Sequence, residues 1–452
     1  MSQKQVGLED FIDARPVTAF QMGVLALCGL VVFLDGFDTQ VIGYIAPMIA
    51  KEMHVPKSEL GLIFSSGLVG LMAGFMVIAP LADRFGRRPV ILLSTVFFGL
   101  FSVLTTTADT SFHLIILRFL TGLGLGGAMP NALALTGEYC PKRRRATLVI
   151  IMFCGYSLGS IVAGLLSAQL LSSVGWRGVL WIGGTAPLIV AAALFFLLPE
   201  SPNVLALHGK QAKLRSILAR MAPKDVSDDQ DFVLVEQKTK GLPVTQILSP
   251  ARLIGTLLLW TVFFMNLLDL YFLQSWLPTL FTEAGMSLQK AIAASTLIMA
   301  GGIVAAAVTG PLMDKLGPYI ILAALFIGGA ISVTMIGLTP TSAFAMVMVS
   351  TFCAGFCISG AQKSCNALAV TFYPTAIRAT GVGWALGVGR LGSIVGPLAA
   401  AALLTLGLAS AKLFFFAAIP LLIAAVAVLV MGKVYGMGGR RAEAQAVPVA
   451  GE

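Results

Sequence analysis

The chain has 452 residues, 57% of them hydrophobic and only 11% charged, with a mean hydropathy of +0.91. Soluble domains carry about 25% charged residues, so this composition excludes a water-soluble globular protein and points to a polytopic membrane protein. The net charge of +9 does not require nucleic acid, because the basic residues sort by side of the membrane.

Met1 to Arg15 is polar and carries Glu9, Asp10, Asp13 and Arg15. It lacks the cationic start and short apolar core of a signal peptide, so the first span is expected to stay in the membrane. With about 20 apolar residues per crossing, twelve spans are expected at 17–47, 59–81, 89–107, 112–139, 146–171, 177–198, 253–282, 289–313, 318–338, 343–372, 379–406 and 411–433. The domains predicted are therefore a cytoplasmic tail at 1–16, a six-helix bundle at 17–198, a solvated linker at 199–252, a second six-helix bundle at 253–433 and a tail at 434–452. The fold class is all-α, membrane-embedded.

Within the first span lie Asp35 and Asp38. Each costs upwards of about 2.5 kcal/mol at a bilayer centre, so such residues face a cavity, meet a cation or carry a proton. At i and i+3 they share one helix face. A carboxyl in low dielectric binds and releases protons near neutral pH, and a nearby cation opposes that protonation.

Lys and Arg set orientation. With the N-terminus cytoplasmic, the outer segments hold only Lys51, Lys57, Arg177, Lys290 and Lys412, while Arg118, Lys363 and Arg390 fall inside spans. The rest of the 30 basic residues lie on the cytoplasmic side. The six cysteines (Cys28, Cys140, Cys154, Cys353, Cys357 and Cys365) lie in or beside apolar runs with no nearby His, so they read as packing residues and no metal site is expected. His54, His113 and His208 form no catalytic constellation, so the chain does not read as an enzyme.

The chain repeats itself. Pro80-Leu81-Ala82-Asp83-Arg84-Phe85-Gly86 returns as Pro311-Leu312-Met313-Asp314-Lys315-Leu316-Gly317. Arg145-Ala146-Thr147 returns as Arg378-Ala379-Thr380, and Leu158 to Val162 returns unchanged at Leu391 to Val395. Both copies have the same orientation, which makes two bundles related by a parallel repeat, with substrate expected near the midplane. In this repeat Arg390 has Ser157 as its counterpart, so that charge exists in one half only and points to a ligand, against the alternative of a partner for a helix end or for another acid. A guanidinium fork matches a carboxylate.

The loop Pro80 to Pro89 resembles the signature loop of the major facilitator superfamily, with Ala79 where that loop usually starts with Gly. Arg118 with Gly122, Gly124, Gly126 and Gly127 resembles the family's fourth-helix motif, and Pro199-Glu200-Ser201-Pro202 closes the sixth span as in many members. Asp35-Gly36-Phe37-Asp38-Thr39, the segment Tyr373 to Trp384 and Gly389-Arg390-Leu391-Gly392-Ser393 look like the aromatic acid:proton symporters. The resemblance implies import of benzoate-like or hydroxybenzoate-like anions with protons. Lys363-Ser364-Cys365 departs from the small, uncharged residues expected there.

In that fold helices 1 and 4 line the cavity, so Asp35, Asp38 and Arg118 are the expected proton-coupling residues, against the alternative of a fixed ion pair. Arg390 is the expected carboxylate ligand. Lys363 and Asp269 either form a mutual ion pair or, with Lys363 on a second carboxylate or a ring hydroxyl, join the site. Asn266, Gln274, Gln362 and Asn366 supply amides. Tyr44, Tyr271 and Trp384, with Phe37 and Trp276, supply ring surface for an aromatic anion. Asp83, Arg84, Arg87, Arg88, Glu138, Arg145, Asp314 and Arg378 are expected to form a gating network at the cytoplasmic rim, where the alternative is a purely topological role.

No cofactor beyond the proton gradient is expected. The expected partners are a small aromatic carboxylate, the proton and the bilayer, with no nucleic acid, and the chain is expected to be a monomer in a bacterial cytoplasmic membrane with both termini inside. Three alternatives stay open. The first is a proton-driven exporter of the same fold, although Gly155 to Gly164 lacks the Gly-Pro of such antiporters. The second is a sugar or polyol importer, which would not need Arg390 and Lys363. The third is a membrane sensor without flux.

Overall fold

A computed structural model describes residues 4–223, 225–227, 230–233, 247–250, 252–339, 341–373 and 377–435, apart from the side chains of 4–5, 146, 378 and 379. A short strand β1 (Lys4–Gly7) and helix α1 (Leu8–Asp13) precede the first long helix, α2 (Ala19–Glu52). The start of α2 is a capping box. The Thr18 amide donates to Gln21 Oε1 at 2.8 Å while the Gln21 amide donates to Thr18 Oγ1 at 3.4 Å, which satisfies two amides that a helix start leaves without partners.

α3 (Lys57–Val77), the short α4 (Leu81–Phe85), α5 (Arg87–Leu104) and α6 (Ser111–Tyr139) follow. Helix α7 runs from Lys142 to Leu197, 56 residues. At 1.5 Å per residue it would be about 84 Å long, far beyond a hydrocarbon core of about 30 Å. It is two crossings joined at Gly175, whose φ of 67° and ψ of 179° are not helical. The arms on either side coincide with the spans expected at 146–171 and 177–198. Beyond them come α8 (Pro202–Leu207), α9 (Gln211–Met221) and β2 (Gln230–Val233), then α10 (Leu253–Glu283), α11 (Leu288–Leu316), α12 (Pro318–Leu338), α13 (Phe344–Phe372), α14 (Arg378–Thr405) and α15 (Ser410–Tyr435). Among the described residues eleven helices are long and apolar enough to cross a membrane, and the break in α7 makes twelve crossings.

The chain divides into two compact units. One holds the described residues of Met1–Met48 and Ser66–Lys238, the other those of Ile49–Ser65 and Thr239–Glu452. In the first unit α2 and α7 touch at the backbone. A Cβ on Gly36 would lie 2.0 Å from the Tyr156 carbonyl oxygen, and Ser160 Oγ donates to the Gly36 carbonyl at 3.0 Å. The same economy joins α3 to α6, where a Cβ on Gly122 would lie 1.9 Å from the Gly67 carbonyl oxygen. Small residues at such crossings replace the hydrophobic effect, which cannot drive association between helices in lipid.

The tail and the start of the linker are folded against this unit. β1 pairs in parallel with β2, and Phe11 meets Phe232 edge-on at 5.0 Å. Gln211 brackets Phe232, donating to its carbonyl at 2.9 Å and accepting from its amide at 3.1 Å. Leu214, Leu218 and Met221 of α9 bury their apolar stripe in the same cluster. Arg15 pairs with Asp225 at 2.9 Å and Lys142 with Glu9 at 2.8 Å. Lys224, Asp228 and Asp229, the later linker residues 234–246, and 436–452 of the expected tail lie outside the described residues.

In the second unit α10 lies against α14. Cβ atoms on Gly392 and Gly396 would sit 2.2 and 2.3 Å from the carbonyl oxygens of Phe264 and Leu268, and Trp276 Nε1 donates to the Pro397 carbonyl at 3.1 Å. The start of α3 belongs here too. Phe64 packs edge-on against Trp276 at 5.3 Å, and Glu283 accepts from Lys57 and from Ser410 Oγ at 2.6 Å.

Candidate functional site

The first unit buries a guanidinium–carboxylate pair. Arg118 of α6 lies 3.2 Å from Asp38 of α2, and both are almost fully buried, at 3% and 5% exposure. Ser102 of α5 donates its hydroxyl to the other Asp38 oxygen at 2.9 Å. Arg118 also reaches the hydroxyl oxygens of Ser102, Thr105 and Thr121 at 3.4 to 3.5 Å. Three helices thus converge on one ionic group, and those polar partners keep a buried pair tolerable in low dielectric. Asp35 is buried one turn earlier and accepts from Thr39 at 3.2 Å. The two aspartates share a helix but have different partners. Tyr44 is fully buried on the same helix.

The second unit gathers most of the remaining expected residues. Arg390 of α14 is half-buried and donates to the phenol oxygen of Tyr271 on α10 at 2.9 Å. Asn266 of α10 donates to Gln362 of α13 at 2.7 Å, and Gln362 donates to Asn366 at 3.4 Å. Asn366 is exposed, as is Lys363, whose ammonium donates to the Gly302 carbonyl of α11. Gln274 is buried and points its amide at the Met299 sulfur, 4.0 Å away. Asp269 is wholly buried, and neither of its carboxyl oxygens has a hydrogen-bond partner. The mutual Asp269–Lys363 ion pair is therefore not formed. Trp384 is 45% exposed and stacks on Trp260 at 5.8 Å.

At the ends of the first-unit helices, Arg87 pairs with Glu138 at 2.5 Å and reaches Asn131 at 3.3 Å. Glu138 also accepts from the Ser201 hydroxyl. Arg88 donates to the Phe195 carbonyl and lies over the Phe195 ring. Arg145 is half-buried, lines a small cavity with Glu9, Asp13 and Glu138, and reaches the Cys140 carbonyl at 3.5 Å. Burial pushes the Cys140 thiol up to about 11, with Arg145 opposing, so that cysteine is inert packing rather than a nucleophile. Asp83, Arg84 and Asp314 are exposed and make no ion pair among the described residues. The side chain of Arg378 lies outside the described residues.

Glu200 is a residue whose work is invisible in the sequence. Its carboxylate accepts from the amides of Arg87, Arg88 and Ser201 at 2.9, 3.1 and 2.8 Å, which caps the N-terminus of α5 with a negative charge. Gly86, at φ 103°, makes room for it, since a Cβ there would lie 2.3 Å from Glu200 Oε2. Gly317 ends the second copy of the loop with φ 87°, so both copies require a left-handed residue at the same point. The only local signal for the cap was the Pro-Glu-Ser-Pro sequence itself.

Comparison with known proteins agrees with this architecture. The family model for the Major Facilitator Superfamily matches residues 28–341 and 259–446. The chain is 38% identical over 434 residues to the 4-hydroxybenzoate transporter PcaK of Pseudomonas aeruginosa, covering 95% of this chain and 97% of that one. It is 39% identical over 429 residues to a gallate transporter of Pseudomonas putida, covering 94% and 95%. It is 32% identical to a benzoate transport protein of Acinetobacter baylyi, covering 95% and 93%. Among solved structures it resembles a D-xylose-proton symporter with a TM-score of 0.71 at 19% identity, over 92% of this chain and 98% of that one, a likeness of fold. Two repeated helical units, a Gly-ended loop in each and matches running the length of the chain give one conclusion: this protein is a membrane transporter, not an enzyme, and belongs to the Major Facilitator Superfamily.

Proposed function

We propose that this protein imports a small aromatic carboxylate together with protons by alternating access across a bacterial cytoplasmic membrane, with both termini inside. The observation that carries the reading is the buried Asp38–Arg118 pair. An ionic pair shielded from water is sensitive to one proton. Protonating Asp38 removes the attraction and leaves Arg118 with hydroxyl partners only, so a proton changes what α2, α5 and α6 hold between them. Asp35, one turn away, is the second carboxyl of this coupling site.

Arg390 supplies the charge for the substrate carboxylate. Its guanidinium is half-buried and donates to Tyr271, and its planar geometry suits a carboxylate. The amides of Asn266, Gln362 and Asn366 and the ammonium of Lys363 offer polar contacts to ring substituents, and relatives named for 4-hydroxybenzoate and gallate support a hydroxylated ring. The Arg87–Glu138 pair, with Asp83, Arg84, Arg88 and Arg145 of the first unit, serves in gating, and Asp314 and Arg378 are the corresponding positions of the second repeat. Coupling follows when proton and substrate each favour the same conformational change.

The test is uptake into proteoliposomes under an inward proton gradient, with radiolabelled benzoate, 4-hydroxybenzoate, protocatechuate, gallate, phthalate and a neutral sugar. Accumulation of a hydroxylated aromatic acid, lost in Arg390→Ala, is expected. Movement of a sugar or an organic cation instead, with no acid carried, would overturn the reading and leave the family alone standing.

A further inference from the structure

Asp269 is an unexplained cost among the described residues. It sits within a membrane-spanning helix, has no exposed surface, and neither carboxyl oxygen meets a donor. An isolated buried carboxylate is strongly disfavoured. A proton is the smallest partner that removes this cost, since it neutralises the carboxylate where it stands.

Its surroundings narrow the choice. Helices α11, α13, α14 and α15 pack against α10. The basic groups they carry within their spans are Lys363 on α13 and Arg390 on α14, directed to the Gly302 carbonyl and to Tyr271 respectively. Cys353, Cys357 and Cys365 are the other titratable groups along α13, and Lys290, Asp314, Lys315, Lys412 and Lys433 lie near helix ends. Asp269 makes no ion pair or hydrogen bond with any of them. One turn back on the same helix face, Asn266 is also fully buried and its Oδ1 also lacks a donor. Its amide nitrogen continues through Gln362 to exposed Asn366. A ladder of polar side chains thus runs from the neighbourhood of Asp269 to the open face of α13.

We propose that Asp269 is a proton-carrying site of the second unit, separate from Asp35 and Asp38, and that it exchanges one proton with water in each transport cycle along the Asn266–Gln362–Asn366 side. The step makes and breaks only a carboxyl O–H bond. A proton taken from water on one side of the membrane is returned to water on the other when α10 and α13 change their contact. The proposal rests on the proton-coupled reading above and extends it by placing a titrating carboxyl in each half of the repeat.

Two readouts on the full-length protein in proteoliposomes test it. Proton and substrate fluxes measured in parallel give a ratio that does not depend on how much protein is active. Asp269→Asn is expected to lower that ratio by one proton per substrate. Infrared difference spectroscopy on addition of 4-hydroxybenzoate is expected to show a protonated-carboxyl band that is absent in Asp269→Asn and displaced in Asp269→Glu. The Glu variant keeps the assignment available should the Asn variant not fold. A wild-type flux ratio retained in Asp269→Asn, or no substrate-dependent band assignable to Asp269, would overturn the proposal while leaving proton coupling intact. A weaker apparent affinity for hydroxylated acids at an unchanged ratio would also overturn it, by making Asp269 a substrate contact. No proton movement in the wild type would overturn both readings.

Discussion

Replacing Asp38 by Asn tests the buried pair most sharply. Asn keeps the shape and still accepts from Ser102, which lies 2.9 Å from Asp38, so the loss is confined to the ionic contact with Arg118 at 3.2 Å. Removing one partner of a buried pair costs about 3–5 kcal/mol, because the other charge is left uncompensated. The remaining partners of Arg118 are hydroxyls at 3.4 to 3.5 Å, long for hydrogen bonds and so weak substitutes. A destabilisation of about 3 kcal/mol is therefore expected, while Arg118→Gln together with Asp38→Asn recovers much of it. A double-mutant cycle by thermal unfolding in detergent is expected to give a coupling energy of about 2–3 kcal/mol, in the range seen for directly contacting groups. In liposomes Asp38→Asn mimics the permanently protonated carboxyl, so gradient-driven accumulation is expected to be lost. A coupling energy below about 0.5 kcal/mol, the scatter of independent sites, or wild-type accumulation in Asp38→Asn, would refute this reasoning.

Further expectations are independent of that pair. Tyr271→Phe removes the oxygen that accepts from Arg390; the loss of one such bond, worth about 0.5–1.5 kcal/mol, is expected to alter the KM for the transported acid by up to about tenfold with little change in maximal rate, read from initial uptake rates. Gly36→Ala drives a methyl group onto a backbone oxygen that cannot move aside, so a fall in thermal stability of at least about 1–3 kcal/mol is expected for such overpacking, whereas Gly23→Ala, with open space around it, should leave the melting temperature unchanged. Glu200→Ala strips the cap from α5, and since cap losses cost about 0.5–2 kcal/mol the melting temperature is expected to fall while substrate preference is kept. Phe232→Ala empties the contact with Phe11 and, at about 3–5 kcal/mol for a buried ring, is expected to release β1 and α1, which faster hydrogen exchange over residues 4–13 would report.

The crossings and the main charged positions were legible because lipid is an unforgiving solvent. A charge inside an apolar run is rare enough that Asp38, Arg118 and Arg390 announce themselves, and the repeated loop carries its glycine in both copies. The partners were not legible. Asp35 and Asp38 share a helix face, and nothing local says that Arg118 takes the second; that depends on where Ser102 of a third helix stands. Tyr271 as the partner of Arg390 and Gly302 as the partner of Lys363 are set by helix rotation, which periodicity does not specify when apolar residues surround the whole helix. Trp384 reads as a ring for the substrate, and its stacking on Trp260 is set by the same rotation. The pairing of β1 with β2 joins two four-residue strands far apart in the chain, too short for alternation to mark them.

The central claim is that substrate and proton move together. The most direct measurement traps a pH-sensitive dye inside proteoliposomes carrying the wild-type protein and adds 4-hydroxybenzoate outside with no imposed gradient. Acidification of the lumen in step with substrate entry, abolished by Asp38→Asn, is the predicted result. Substrate entry with a constant lumenal pH, or alkalinisation, would contradict symport.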